Sequence, residues 1–316
     1  MSEIAVVALG GNALLRDNER GTIEQQEEHA RETIENLIHL IKDGYNLVIT
    51  HGNGPQIGNI LMRNDAGEQL YDIEQMPLNV CVADSQGGIG YMVERILCNT
   101  LAKHKIKKDV VTMVSMVEVK ENDTSFDNPS KRIGKKYSKE EADKLADKKG
   151  WVFKLSSKNK GAYRRVVSSP EPQNILNHSI IKKVVNSGAI VITAGGGGVP
   201  VFYDDEGYLR TVNGVIDKDK ASSLLATQIK ANELYILTDV PFIYKNFGTN
   251  EQQKLEFLNY IDASKYLEDG AFGDGTMKPK MEAALAFVKN GGEKSVITEA
   301  SKLEDKSFGS KITMKY

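Results

Sequence analysis

Residues 4–12 read IAVVALGGN, and this stretch decides the fold that we predict for the whole chain. Its apolar run, Ile4–Leu9, is rich in β-branched residues and typical of a strand buried on both faces in a parallel sheet. Gly10 and Gly11 let backbone N–H groups turn toward a ligand, and Asn12 adds a side-chain amide. The motif therefore indicates an anion site at a strand end, although a tight turn that needs glycine for conformation alone explains it equally well.

A second unit of the same kind follows. Thr22 can cap a helix that ends at Gly44, and residues 46–50 form a second short apolar strand, so the unit predicts a right-handed crossover between parallel strands. The helix has one apolar face, made of Ile23, Ala30, Ile34, Leu37, Ile38 and Ile41. Residues 51–58, HGNGPQIG, make a second glycine-rich turn, with Pro55 suited to a first helical turn. Both loops should meet at the carboxyl edge of the sheet, where open α/β sheets bind ligands.

Composition excludes several protein classes. The 316 residues include 40% hydrophobic and 27% charged residues, which is ordinary for a soluble protein of one large domain or two smaller ones. A net charge of −2 provides no basic field for nucleic acid or an anionic membrane. Cys81 and Cys98 are too few for a disulfide framework, and on one continuous helix they would lie roughly 25 Å apart. With neither a signal-like segment nor a membrane-length apolar run, we expect a cytoplasmic protein.

The middle of the chain predicts a long helix and then an insertion. Residues 78–102 are mostly apolar with small residues on one side, which favours a homodimer interface, although a central helix of a monomer is the alternative. Residues 109–119 have strand character. Residues 120–168 are polar and lysine-rich, with a helix-like stretch at 138–149, and predict a protruding lid. Its basic residues, which a solvated surface alone would also explain, are Lys131, Arg132, Lys135, Lys136, Arg164 and Arg165.

The second half repeats the strand-and-glycine pattern. We predict a helix at 174–186, a strand at 189–193 followed by four glycines at 195–198, a helix at 221–229, and strands at 234–238 and 294–298. Helix capping alone explains Asp217 and Asp219, whereas Lys218 between them has no such role. Lys280 falls in the first turn of a predicted helix at 281–289, where a cation is unfavourable unless an anion binds nearby.

Glycine loops at strand ends together with lysines in separate loops are typical of phosphoryl transfer. Its transition state spreads negative charge over the equatorial oxygens, so the protein must align donor and acceptor and supply fixed positive charge. Neither a Walker A pattern nor the protein-kinase signatures occur in the sequence. The chain therefore predicts a different phosphotransferase design.

An ordered set of motifs over the full length resembles the amino-acid-kinase superfamily, and within it the branch that phosphorylates carbamate. The motifs are residues 8–13 (ALGGNA), 51–58 (HGNGPQIG), 128–131 (NPSK), 164–167 (RRVV), 195–200 (GGGGVP), 215–219 (VIDKD), 237–240 (LTDV) and 277–280 (MKPK). The resemblance implies a single domain over residues 1–316, built as a three-layer αβα sandwich around a mainly parallel open sheet, with residues 120–168 as a small protruding subdomain. It also implies a homodimer that makes ATP reversibly from ADP and carbamoyl phosphate with Mg²⁺, in arginine-type fermentation.

The resemblance also implies roles for particular residues. In the N-terminal half, the carbamoyl phosphate or carbamate site is implied at Gly10, Gly11, Asn12, Gly52 and Asn53. In the C-terminal half, the ATP or ADP site is implied at Gly196, Gly197, Gly198, Asp217, Thr238, Asp239, Tyr244 and Met277. Lys218 and Lys280 neutralise the transferring phosphoryl group, Asp219 orients them and Lys131 reaches in from the lid. No protein ligand for the metal is implied. Arg132 and Ser169 depart from the family pattern, which leaves the resting shape of the lid open.

Three alternatives remain at this stage. Another kinase of the superfamily, acting on glutamate, N-acetylglutamate or a nucleotide, fits the same motifs because spacing does not identify the acceptor. A nucleotide-sensing protein without activity is a second, and both lysines argue against it. The glycines at 52, 54 and 58, with Asp72 or Glu74 about 20 residues on, resemble the fingerprint of a nicotinamide-dependent oxidoreductase, but the spacing is wrong by one residue.

Overall fold

The chain forms a three-layer α/β structure in a computed structural model that describes residues 2–16, 19–155, 161–272, 277–305 and 307–315. The helices are α1 (Ile23–Lys42), α2 (Gly54–Tyr71), α3 (Leu78–Lys103), α4 (Lys139–Lys149), α5 (His178–Asn186), α6 (Lys218–Ile229), α7 (Tyr260–Glu268) and α8 (Met277–Lys289). The strands are β1 (Ile4–Leu9), β2 (Asn46–His51), β3 (Val110–Met113), β4 (Met116–Glu118), β5 (Lys131–Tyr137), β6 (Val152–Leu155), β7 (Tyr163–Val167), β8 (Asn174–Ile175), β9 (Ile190–Thr193), β10 (Val199–Tyr203), β11 (Leu209–Thr211), β12 (Glu233–Thr238), β13 (Ile243–Lys245), β14 (Gln253–Leu255), β15 (Phe257–Asn259), β16 (Lys294–Glu299) and β17 (Ser310–Thr313).

The central layer is a mainly parallel sheet. Within the described residues it has eight strands in the order β15-β17-β16-β12-β1-β2-β9-β3, and β1 pairs in parallel with both β2 and β12. Only the pairing of β16 with β17 is antiparallel among the described ladders of this sheet. All six residues of β1 are buried, as the opening apolar run predicts. The predicted fold class is therefore confirmed.

Alternate residues of β1 enter two separate cores. Val6 packs with apolar residues of α5, α6 and α8 on one face of the sheet, whereas Ala5 and Val7 pack with those of α1 and α3 on the other. Side chains of a strand alternate between the two faces, so a strand covered by helices on both sides must be apolar throughout. This is why the run contains no polar residue.

Local capping signals mark the starts of α1 and α4. The Thr22 side chain accepts a hydrogen bond from the Gln25 backbone N–H while the Gln25 side chain bonds back, and Ser138 and Glu141 form the same reciprocal cap at α4. Pro55 lies in the first turn of α2, as predicted. Such caps act over three or four residues, so the sequence alone reveals them.

Several predicted boundaries are wrong, among them the start of the helix predicted at 281–289, which already includes Met277. The strand predicted at 109–119 is two strands in different sheets, because the chain leaves the main sheet after β3 and β4 pairs instead with β10 and β8. The first residues of the helix predicted at 174–186 form β8, and α5 begins only at His178. The helix predicted at 221–229 begins earlier, at Lys218. The last difference matters for function, because it places Lys218 at a helix N-terminus.

Residues 120–168 include a small sheet of their own. The described strands β5, β7 and β6 pair antiparallel in that order, and α4 lies in the connection between β5 and β6. The sheet and α4 pack on α2, where Gly58 faces the backbone of Gly134 in β5 and Lys149 of α4 pairs with Glu68.

The helices that the structure describes include none with the length and apolar character needed to cross a bilayer.

Candidate active site at the carboxyl edge of the sheet

The two glycine loops meet at the carboxyl edge of the sheet, as predicted. A side chain at Gly10 would place its Cβ 2.5 Å from the Leu237 carbonyl oxygen, so glycine is required there for the close approach of the loop to β12. No described atom lies within 4 Å of a Cβ built at Gly11. At Gly52 the nearest atom is Cδ of Lys218, at 3.5 Å. Gly10 has an ordinary extended conformation, so the close approach to β12 and not the backbone angles requires glycine there, whereas Gly11 faces open space.

The centre of the site is a buried cluster of opposite charges. The Asp219 carboxylate accepts hydrogen bonds from two lysines: Lys218 contacts Oδ1, and Lys280 Nζ lies 2.9 Å from Oδ2. The side chains of all three are at most 14% exposed. A carboxylate has two oxygens and can hold two ammonium groups side by side. Asp219 therefore orients both lysines toward one place, the arrangement that the sequence resemblance implies.

Burial and the paired charges act on the pKa values of this cluster in opposite directions. Burial works to raise the pKa of Asp219, but the charges of Lys218 and Lys280 outweigh it and hold that pKa below its usual value. Burial lowers the pKa of Lys218, opposed by Asp219 and reinforced by Lys280. The carboxyl group is thus ionised at neutral pH and is unsuited to accept a proton. Two lysines share one carboxylate, so the cluster contains one more basic group than acidic groups.

A second ion pair joins the segment 120–168 to the start of α6. Lys131, the first residue of β5, places Nζ 2.9 Å from Oδ2 of Asp217. The other carboxylate oxygen of Asp217 accepts from the backbone N–H of Asp219 at 2.9 Å, so Asp217 caps α6. Burial works to raise the pKa of Asp217, yet Lys131 and Lys218 lower it well below its ordinary value. Capping, the simple explanation of Asp217, is confirmed, whereas Asp219 does not serve as the cap.

The four glycines at 195–198 lie next to the second glycine-rich loop, residues 51–58. All four are buried, and Gly196, Gly197 and Gly198 have positive φ angles of 63°, 93° and 83°. Added side chains at Gly195 and Gly196 would overlap His51 and Asn53. The backbone of these glycines therefore packs closely against other groups, as predicted. Those groups belong to the loop 51–58, for which the resemblance implies binding of the acyl substrate.

The other residues predicted to bind the nucleotide do not all lie in one place. Thr238 and Asp239 line a cavity of about 420 Å³ together with Gly10, Gly11 and Lys280. The rest of the described lining is Ala13, Arg16, Glu32, Thr33, Asn36, Leu237, Glu299, Ala300 and Ser301, most of which sequence reasoning missed. Tyr244 lies in β13 and Met277 begins α8, both outside this lining. The backbone of Asn12 belongs to a short turn, Gly11–Ala13, after β1, and its side chain lies outside the described part of the chain.

His51 supports the second loop as a neutral group. The ring is buried beside Gly195, and Nδ1 donates to the Gly52 carbonyl oxygen at 3.0 Å. Burial, together with the nearby charge of Lys218, lowers the pKa of His51 to about 4. The ring therefore carries no charge at neutral pH and holds the loop against the glycine turn. Among the described residues, no group of three His, Cys, Asp or Glu side chains is arranged to hold a metal ion.

Comparison with known proteins gives a consistent result. The model of the amino acid kinase family matches residues 3–299. A carbamate kinase of Pyrococcus horikoshii is 43% identical over 317 residues, covering 99% of this chain and 100% of the relative, and one of Pyrococcus furiosus is 42% identical over 302 residues, covering 96% and 95%. The structure of a carbamate kinase from Giardia lamblia bound to AMP-PNP superimposes with a TM-score of 0.90 at 34% identity, covering 99% of this chain and 98% of that one.

Proposed function

We infer that this chain, which belongs to the amino acid kinase family, is an ATP-dependent carbamate kinase that transfers a phosphoryl group reversibly between ATP and carbamate. The observation that carries this function is the buried Lys218–Asp219–Lys280 cluster between two glycine loops. It supplies fixed positive charge at the edge of the sheet where both substrates can meet. In the direction of ATP synthesis, carbamoyl phosphate and ADP are the substrates.

The reaction needs alignment and charge rather than an acid or base. An oxygen of the ADP β-phosphate attacks the phosphorus of carbamoyl phosphate, the bond from phosphorus to the carbamate oxygen breaks, and carbamate leaves with that electron pair. Negative charge on the phosphoryl oxygens is stabilised by Lys218 and Lys280, whose ammonium groups are already desolvated and oriented. Lys218 opens α6, so the helix dipole adds to its charge. Asp219 stays ionised and keeps both lysines in place.

The substrates divide between the two halves of the site in this proposal. Gly11, Gly52 and Asn53 hold carbamoyl phosphate, and Thr238 and Asp239 contact the nucleotide across the cavity that they share with Lys280. Mg²⁺ enters with the nucleotide, because it prefers phosphate oxygens and retained waters to an all-protein cage. Such an ion neutralises phosphate charge when bound.

We further propose that residues 120–168 act as a lid. Lys131 connects this segment to Asp217 at the start of α6, so closing and opening of the segment adds or removes a positive charge beside the phosphoryl site. A closed lid also excludes water, which matters because carbamoyl phosphate hydrolyses easily. Lid closure and the completion of the positive site are thus one event.

Assembly as a homodimer stays a prediction, as do a cytoplasmic location and a supply of carbamoyl phosphate from arginine breakdown. Support for a dimer comes from exposed apolar side chains where α2 ends and α3 begins, among them Leu70, Tyr71 and Ile73, each more than 60% exposed. The described cysteines, Cys81 and Cys98, are both free, which suits a reducing compartment. Light scattering coupled to gel filtration tests the dimer.

An assay against a panel of acyl phosphates tests the substrate. Purified protein with ADP, Mg²⁺ and carbamoyl phosphate is expected to make ATP, whereas ATP with glutamate or N-acetylglutamate yields no acyl phosphate. Turnover of glutamate without turnover of carbamoyl phosphate would assign the chain to another activity of the family. The family match leaves the nicotinamide-dependent oxidoreductase without support.

A further inference from the structure

The hydrogen-bond partner of the Asn53 side chain lies in a different helix from the one that Asn53 begins. Asn53 is the N-cap residue of α2, where an asparagine side chain usually accepts a hydrogen bond from the first helical turn. Here it makes no such bond. The buried side chain turns to α3 instead, and its Nδ2 donates to Oγ of Ser85 at 2.9 Å. Asn53 is therefore held in place by a distant helix rather than by its own.

The direction of this hydrogen bond follows from its next member. Ser85 Oγ lies 2.7 Å from the Val82 carbonyl oxygen, which can only accept, so the single hydroxyl hydrogen of Ser85 is used there. Ser85 can then only accept from Asn53. This requires the amide nitrogen, not the oxygen, of Asn53 to face Ser85. The orientation of the amide is thus set by two successive hydrogen bonds, from Asn53 to Ser85 and from Ser85 to Val82.

The other end of the amide is available to a ligand. Among the described hydrogen bonds none occupies Oδ1 of Asn53, and this oxygen is not one of the described polar atoms that are fully buried without a partner. The backbone of Gly196 packs against the amide so closely that a Cβ there would overlap it. Asn53 also follows Gly52, which lies over the stem of Lys218. Oδ1 is consequently a fixed acceptor with no partner among the described hydrogen bonds, one residue after the glycine that lies against Lys218.

Building on the proposed function, we propose that Ser85 is a positioning residue that presents Oδ1 of Asn53 to the amino group of carbamate and carbamoyl phosphate. The amino group is the feature that separates a carbamoyl group from an acetyl group of nearly the same shape. An N–H group satisfies the acceptor, whereas a methyl group leaves it unpaired, and sites built in this way discriminate strongly against the analogue. Ser85 thereby sets specificity without touching the substrate.

The test compares two phosphoryl donors to ADP. The kcat/KM values for carbamoyl phosphate and acetyl phosphate are measured for the wild type, Ser85→Ala and Ser85→Thr. We expect Ser85→Ala to reduce the preference for carbamoyl phosphate at least tenfold, and Ser85→Thr, which keeps the hydroxyl group, to restore most of it. The matched control is Ser295→Ala, since Ser295 is also fully buried and donates to a carbonyl oxygen, that of Ala284. This control leaves the preference unchanged.

A purely structural role predicts a different result. If Ser85→Ala lowers both kcat/KM values equally, or changes neither, the inference is wrong while the proposed function stands. If Ser85→Ala does not fold by circular dichroism, Asn53→Ala replaces it, and an unchanged preference in that variant also overturns the inference. A wild-type protein that makes no ATP from carbamoyl phosphate overturns the proposed function itself and this inference with it.

Discussion

Asp217 and Asp219 are two residues apart in the chain, and each pairs with lysine. The two lysine–aspartate contacts differ in burial. The Asp219 side chain is 5% exposed and binds two lysines, whereas Asp217 is 22% exposed and binds Lys131, itself 34% exposed. The first contact joins two helices of the main fold, and the second joins the main fold to the lid. A buried ion pair is costly to break, while a partly exposed one exchanges readily with water. The two contacts therefore differ in how firmly burial holds the lysines in place.

The lid contact also bears on the expectation, implied by the resemblance, that Lys131 reaches into the site from residues 120–168. In the structure Lys131 Nζ already lies against Asp217. Asp217 thus provides a resting place for the ammonium group at the edge of the site. Entry of Lys131 with the substrates stays a prediction, and it now includes the exchange of one anionic partner for another.

The largest expected effect follows from removing the charge shared by the buried lysines. Asp219→Asn keeps the shape of the side chain but leaves Lys218 and Lys280 buried without a counter-charge. We expect a loss of about 3–5 kcal/mol in the free energy of unfolding, measured by urea denaturation. The matched control is Asp217→Asn, which keeps a good N-cap and should lose less than about 1 kcal/mol. Equal losses in the two variants would remove the distinction between the contacts.

Replacing the buried lysines tests the catalytic side of the comparison. Lys218→Met and Lys280→Met keep volume but remove a fixed charge at the reacting phosphoryl group. Each should lower kcat by about 10²–10³-fold, equivalent to roughly 3–4 kcal/mol, in steady-state assays of ATP formation. Lys220→Met is the control, because Lys220 lies in the same helix but pairs with Glu171. Unchanged turnover in Lys218→Met or Lys280→Met would reduce that lysine to a structural role.

A smaller effect is expected at the lid. Lys131→Ala should lower kcat/KM by about tenfold to a hundredfold, because the charge is supplied only in the closed state, and should leave the Tm nearly unchanged. Lys135→Ala is the control on the same strand. Amide exchange should also slow in β5 and β7 when both substrates are added. Full activity of Lys131→Ala together with identical exchange with and without substrates would contradict the lid and favour a contact surface.

The smallest effect is the dependence of the lid contact on pH. Because the pKa of Asp217 is lower in the folded protein than in the unfolded chain, the unfolded state binds more protons between these two values, and stability rises with pH there. The contribution of Asp217 is complete above its ordinary pKa of about 4 and is lost as the pH falls through the lowered value. Urea denaturation from pH 7 to pH 3 should therefore show a gap between wild type and Asp217→Asn that narrows below about pH 4. A gap that widens on acidification would reverse this assignment.

The sequence alone was sufficient for what depends on neighbours in the chain. The apolar run Ile4–Leu9 is buried as predicted, and Thr22 caps α1 as predicted. The ordered motifs also identified the family, and they grouped Asp219 with Lys218 and Lys280, which the structure places in contact. These features are specified by spacing within a few residues or by whole motifs, so they are visible without a fold.

Only the tertiary structure decided which distant groups meet. β3 and β4 are neighbours in the chain but belong to different sheets. Other contacts join segments that lie far apart in the chain: Gly196 with Asn53, Lys131 with Asp217, and Asn53 with Ser85. No local pattern marks Ser85, since a serine inside a helix has many possible partners. Such contacts are set by how two cores pack on the opposite faces of one sheet, and that packing brings together side chains whose positions along the sequence are independent of each other.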